Sequence, residues 1–261
     1  MRLKDRNCLV TGSNRGIGAG IALRLADEGA NVALVYLEGD LEVESVATQI
    51  RHRGRTALVF RTDLRDPQAL HAMMTQVIAE FGDLHLLVNN AGIGLFAPFL
   101  ETSLEAWNDT INTNLRAAFL CSQIAARHMA ERKFGRIVHI TSTLSQVAAP
   151  NLAPYCASKA ALAMLTKAMA AELGPLGIRV NAVGPGTIRT QLNAALLDTD
   201  EMEAREAALI PTRRIGHSDD IAAMVAFLAS DEADQINGQN ILVDGGLTAL
   251  SPQPPYLNAN K

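Results

Sequence analysis

Tyr155 and Lys159 stand four residues apart in the stretch "PYCASKAALAMLTK", 154–167. The stretch is Ala-rich and reads as a helix, so the two side chains share one face. A free phenol has a pKa of about 10 and is a poor base at neutral pH. An ammonium one helical turn away favours the phenolate. A phenolate so placed takes the proton of a hydroxyl, and in the reverse direction the phenol protonates a developing alkoxide. Ser142, thirteen residues upstream, supplies a hydroxyl to hold the reacting oxygen.

A second chemical signal lies near the start of the chain. "LVTGSNRGIG" joins an apolar strand to a helix. Gly12, Gly16 and Gly18, with Asn14, Arg15 and Ile17 between them, form a loop whose backbone amides approach a pyrophosphate at a helix N-terminus. The end of the next strand, Tyr36-Leu37-Glu38, is where such a fold binds the adenosine ribose. Glu38 there accepts from a 2′-hydroxyl and repels a 2′-phosphate, which favours NAD. Arg15 points the other way, because it can reach a 2′-phosphate and so admit NADP. Asp63 and Leu64, in "TDL" at the end of a third strand, offer an acceptor to an adenine amino group.

These residues need elements to position them. Short apolar runs alternate with helical ones: strands at 7–12, 31–37, 56–64, 84–92, 136–142, 178–186 and 238–246, and helices at 16–30, 40–53, 66–82, 103–133, 155–173 and 218–230. Strands without polar alternation, separated by helices, imply a parallel sheet covered on both faces. The expectation is one domain, 1–261: a Rossmann-type doubly wound sheet of about seven strands. Segment 187–216 is less periodic and reads as a substrate lid or insertion. The tail 251–261 is Pro- and Asn-rich.

Composition narrows the function. The chain has 261 residues, 48% hydrophobic and 19% charged, with a net charge of −4. No long basic stretch invites nucleic acid. No segment has the ~18 apolar residues of a membrane helix, and the N-terminus lacks a signal-peptide core. Three widely spaced cysteines and six scattered histidines make neither a disulfide framework nor a metal motif, so a reduced, cytoplasmic protein without metal is expected.

"TGSNRGIG", "NNAG" (89–92), "TNL" (113–115), Ser142, "YCASK" (155–159) and "VGPGTIRT" (183–190) occur in one order. In that order the chain resembles the short-chain dehydrogenases/reductases through to "VDGG" (243–246). The resemblance implies hydride transfer between a secondary alcohol or carbonyl and NAD or NADP. It implies a catalytic set of Asn114, Ser142, Tyr155 and Lys159. Lys159 would also bond the nicotinamide ribose, and Asn114 would hold a water linking Lys159 to solvent. Asn90, Ala91 and Gly92 would pass beside the adenosine ribose, with Asn89 structural. Pro185 and Gly186 would wall the nicotinamide, and Ile188 and Thr190 would bind its carboxamide. The Ala-rich helix and the one before it would form a dimer interface within a homodimer or homotetramer.

Substrate identity is less legible. "GPGTIRTQLN", "IPTRRIG" (210–216) and the long tail resemble the glucose 1-dehydrogenase branch, which implies oxidation of an aldose C1 hydroxyl to a lactone. Gln146, Asn151, Gln191 and Asn193 are polar candidates for sugar hydroxyls. Against glucose itself, Gly94 follows "NNAG" and no Arg follows Glu38. The alternative is a 3-oxoacyl-[acyl-carrier-protein] reductase, for which Arg132, Lys133 and Arg136 would meet an acidic carrier. A non-catalytic cofactor-binding protein on the same fold is the remaining alternative, and the intact Asn114/Ser142/Tyr155/Lys159 set speaks against it.

Overall fold

The computed structural model describes residues 1–190 and 198–250. Seven strands, β1 (Asn7–Thr11), β2 (Asn31–Tyr36), β3 (Ala57–Arg61), β4 (Leu86–Asn89), β5 (Gly135–Ile140), β6 (Ile178–Pro185) and β7 (Asn240–Val243), form one sheet in the order β3-β2-β1-β4-β5-β6-β7. Every neighbouring pair is parallel. β4 and β5 are buried along their whole length, as sheets covered on both faces require.

The covering helices are α1 (Gly16–Asp27), α2 (Asp40–His52), α3 (Pro67–Phe81), α4 (Leu104–Ile111), α5 (Ala117–Arg132), α6 (Ala153–Leu173), α7 (Asp200–Leu209) and α8 (Ser218–Ala229). Two cores result. On one face Ile21 and Leu25 of α1, Ile50 of α2 and Val225 of α8 pack on Val10, Leu34 and Val138. On the other, Leu70 and Met74 of α3, Cys121 and Met129 of α5 and Ala170 of α6 pack on Leu9, Leu87 and Ile137. Burying each such side chain contributes about 1.5–3 kcal/mol. The two cores hold the sheet rigid, so its C-terminal rim can carry chemistry.

The strand order reverses between β1 and β4, which opens a crevice at their C-terminal ends. Boundaries read from sequence hold where caps are explicit. The Asp66 side chain accepts from Gln68 N and Ala69 N, Pro67 opens α3, and Gly82 closes it in the left-handed region. Two expectations need correction. The helix expected over 103–133 is two helices joined by a π-turn, Asn112–Arg116. The strand expected over 84–92 leaves the ladder at Asn89, because Asn90 N and Ala91 N both donate to the Thr11 hydroxyl at 3.0 Å. Segment 187–216 also holds a helix, α7, with Thr199 capping its acidic first turn.

Gly177 joins α6 to β6 with φ +78°, and an added Cβ would lie 2.1 Å from the Lys133 carbonyl oxygen. Gly54, φ +72°, faces open space. Gly54→Ala is expected to cost about 1 kcal/mol in urea unfolding, from backbone strain alone. Gly177→Ala should cost roughly 2–3 kcal/mol more, because a backbone must move. Equal losses would contradict the packing described here.

Candidate active site

The crevice begins at the glycine loop. An added Cβ at Gly18 would lie 2.0 Å from the Gly12 carbonyl, and one at Gly12 would lie 3.0 Å from Ala91 Cα. The loop therefore closes on itself and on the end of β4 with no room for side chains. The Asn90 amide fastens it by donating to Thr11 O at 2.9 Å and Gly12 O at 3.0 Å. Asn14 ties it to the β2 end by donating to Glu38 O at 2.8 Å. The N-terminus of α1 opens from this loop, and its first amides are suited to a pyrophosphate. The cradle fits a dinucleotide. Asn90 is spent on the loop itself, so its place in the crevice is structural.

At the far side of the crevice, β5 ends and the chain turns at Ser142 into a short 3₁₀ turn, while α6 carries Tyr155 and Lys159 past it. The Ser142 hydroxyl accepts from Leu144 N at 3.1 Å and lies near enough to the Tyr155 phenol to act on its pKa. Burial pushes the phenol pKa up, and the Ser142 hydroxyl pulls it down. Lys159 is 3% exposed and donates to Ile140 O at 2.8 Å. Its ammonium stands 5.6 Å from the centroid of the Tyr155 ring. Burial lowers its pKa to about 8. The ammonium and the Ser142 hydroxyl thus both stand by the phenol, Lys159 over the ring and Ser142 near its oxygen.

Asn114 sits in the π-turn, 1% exposed. A π-turn inserts one residue into the helix and re-aims its side chains. Asn114 Oδ1 accepts from Ile93 N at 2.8 Å, and Nδ2 donates to Ile93 O and to Ser158 Oγ at 2.9 and 3.1 Å. Ser158 Oγ donates in turn to Tyr155 O at 2.7 Å. A Cβ at Gly92 would lie 3.3 Å from Asn114 Oδ1 and 3.4 Å from Lys159 Nζ. Asn114, Gly92 and Lys159 therefore meet at one point.

The remaining candidates divide. Pro185 ends β6, and Gly186 packs so closely on Asp244 that a Cβ would meet its Cα at 2.8 Å. Ile188 is buried and bridges to Gly216, and the Thr190 side chain lies beside Gly16. These residues bring the chain after β6 back to the glycine loop. Ile17 and Tyr36 pack on the first core, and Leu64 is buried in the second. Leu37 and Glu38 are exposed at the β2 end. The Asp63 carboxylate is engaged by Arg65, at 2.8 Å, rather than open to an adenine. Gln146 and Asn151 are exposed. Asn151 has φ +64° and accepts from Ala97 N through its carbonyl, so a left-handed turn accounts for an Asn there. Gln191 and Asn193 lie outside the described residues. Arg136 is buried and paired with Asp234, Arg132 is paired with Asp83, and only Lys133 of the three is without an ion pair among the described residues. Arg136 begins β5, at the opposite end from Ser142.

Two supports escaped the sequence reading, Ser158 and Ser145, while Asn89 was already expected to be structural. Ser158 links Asn114 to the Tyr155 backbone, and its place directly before Lys159 was the available signal. Ser145 donates to Ser142 O at 2.6 Å and accepts from Asn240 of β7 at 3.0 Å, fixing the Ser142 turn from a strand distant in sequence. Asn89 donates to Ser122 and lies 3.2 Å from His139 Nδ1, beneath the same floor.

A family model described as enoyl-(acyl carrier protein) reductase matches residues 12–248. The chain is 41% identical over 242 residues to a 3-oxoacyl-[acyl-carrier-protein] reductase of Staphylococcus aureus, covering 93% of this chain and 98% of that one. It is 39% identical over 252 residues to D-threitol dehydrogenase of Mycolicibacterium smegmatis, covering 95% and 94%. A solved gluconate 5-dehydrogenase of Burkholderia cenocepacia, in complex with NADP and tartrate, superposes with a TM-score of 0.90 at 36% identity, covering 96% and 98%.

The buried ammonium gives a signed prediction. Its folded pKa, about 8, lies below the ordinary lysine value. The unfolded chain therefore holds more protons between about pH 8 and pH 10, and stability rises with pH in that window. Lys159→Met should be at least as stable as the wild type at pH 7, and its advantage should shrink from pH 8 to pH 10. Urea midpoints measured across that range check this; an advantage that grows would refute it.

Proposed function

The chain belongs to the short-chain dehydrogenase/reductase family, and from that premise we propose roles for its residues and a class of substrate. It is an NAD(P)-dependent oxidoreductase acting on CH–OH groups, and either dinucleotide fits. The observation that carries the residue roles is Lys159, buried with its ammonium 5.6 Å from the centre of the Tyr155 ring, with Ser142 near the same phenol. When bound, the nicotinamide supplies the hydride acceptor or donor. Tyr155 takes the proton of the substrate hydroxyl, and Ser142 holds the same oxygen. Lys159, at a pKa near 8, is poised to return a proton to Tyr155 or to carry one away. Asn114 and Ser158 fix the start of α6, so that phenol and ammonium keep their spacing.

For the substrate we favour C1 oxidation of an aldose, or oxidation of a related polyol, in which the hydroxyl carbon becomes a carbonyl. Two observations support this class. Relatives named for threitol and gluconate match along nearly the whole chain. Of the cations suited to an acidic carrier, Arg132 and Arg136 are ion-paired, and Arg136 lies away from the crevice. Reduction of a 3-oxoacyl thioester is the second reading, favoured by the 41% identity to the reductase named for it. Segment 187–216 would act as the substrate lid: Thr187 of its first turn donates to Glu206 of α7 at 2.8 Å. Exposed Phe119 on α5 and Met164 on α6 support a face shared with a second copy, in a dimer or tetramer. Among the described residues no helix is long and apolar enough to cross a membrane. The three cysteines are free thiols, which supports the cytoplasm.

A panel of aldoses and polyols, run beside acetoacetyl thioester reduction and followed by nicotinamide absorbance, separates the two readings. Turnover on the thioester alone would remove the sugar reading. Tyr155→Phe should lower kcat by about 10²–10⁴-fold while NADH binding, read by fluorescence, survives. Retention of a tenth of the wild-type rate would exclude Tyr155 as the acid–base group.

A further inference from the structure

The end of β2 carries Glu38 but no arginine after it. The sheet supplies one from the next strand. Arg61 ends β3 in register with Tyr36. Its Nε donates to the Leu37 carbonyl at 3.1 Å. That bond lays the guanidinium along the Leu37–Glu38 turn, where this fold class places the adenosine ribose. The side chain is exposed, and it has no carboxylate partner among the described residues.

The acids around it are unevenly free. The Asp40 carboxylate lies near enough to the Tyr36 phenol to raise its pKa, and Glu44 is paired with Arg51 at 2.5 Å. Glu42 lies under Gly39, beside the Asn14 amide. Glu38 is exposed at the turn itself. Arg15 is exposed on the other side, at the mouth of α1. Two exposed cations thus stand on elements tied to the Leu37–Glu38 turn, Arg61 by its own Nε and Arg15 through its neighbour Asn14.

We propose that Arg61 is the residue that binds the 2′-phosphate of NADP, opposite Arg15, while Glu38 keeps the same turn open to the 2′-hydroxyl of NAD. This rests on the reading of the glycine loop as a dinucleotide cradle. Arg61 is suited to the task because its Nε anchor fixes the fork and leaves the terminal amino groups for a phosphate. The consequence is an enzyme that takes both dinucleotides, with its NADP affinity carried by a residue twenty-three positions beyond Glu38.

The test is calorimetric titration of the full-length protein with 2′,5′-ADP, 5′-ADP, NADPH and NADH, for wild type, Arg61→Ala and Arg61→Lys. Arg61→Ala should weaken 2′,5′-ADP and NADPH by about tenfold, as loss of a charge-assisted bond implies, and leave 5′-ADP and NADH within about twofold. Arg61→Lys should recover part of the loss. Equal weakening of both pairs, or no weakening, overturns the proposal. Wild type that binds neither NADH nor NADPH overturns the cradle itself, and the Arg61 role with it. Melting temperatures show whether each variant is folded; should Arg61→Ala not fold, the same selective loss is required of Arg61→Gln.

Discussion

A lysine ammonium removed from water costs a fold several kcal/mol unless something compensates it. Lys159 is such a group, and Ile140 O is the acceptor it reaches. Much of the site follows from keeping it there. β5 must end at Ile140, so that its last carbonyl faces α6 rather than a further ladder partner. Asn114 must come from the π-turn to stand near the ammonium, and Gly92 must lack a side chain, because a Cβ would enter the space between them. The sheet, two helices and the β4 loop converge on one charge. Burial alone accounts for its depressed pKa, about 8.

The glycine loop shows a related constraint from the cofactor side. A Cβ at Gly18 would meet the Gly12 carbonyl and one at Gly12 would press on Ala91, and Asn90 fastens the turn with two hydrogen bonds. Backbone amides are thereby kept at the mouth of the crevice and side chains are kept out. Thr11 completes the lock by accepting from Asn90 N and Ala91 N, which also ends strand β4. The same hydrogen bonds that stop the strand build the cradle.

Much of this was legible in sequence. The alternation of apolar runs and helices gave seven parallel strands, and the order of motifs gave the crevice and picked out Asn114, Ser142 and Lys159 beside Tyr155. Where legibility failed, the cause was long range. Nothing local in "NTNLR" marks a π-turn, since the helical periodicity continues through it. Asn240 and Ser145 meet only because β7 pairs with β6 beside β5. Arg132 and Arg136 looked like a basic patch because sequence places them together, whereas the fold turns them to Asp83 and Asp234.

Substrate polarity is the hardest property to read from composition, and Asn151 shows why. An exposed Asn near a catalytic helix invites a sugar hydroxyl. Its backbone is left-handed, a region in which Asn is several-fold enriched for steric reasons. The same residue type therefore has a sufficient cause in the turn that joins it to Ala97. Gly94 is the opposite case. A side chain there would stand 3.5 Å from the Tyr155 ring and 3.8 Å from Leu152, within ordinary contact, so the backbone tolerates one sterically. Its absence leaves space beside the edge of the Tyr155 ring.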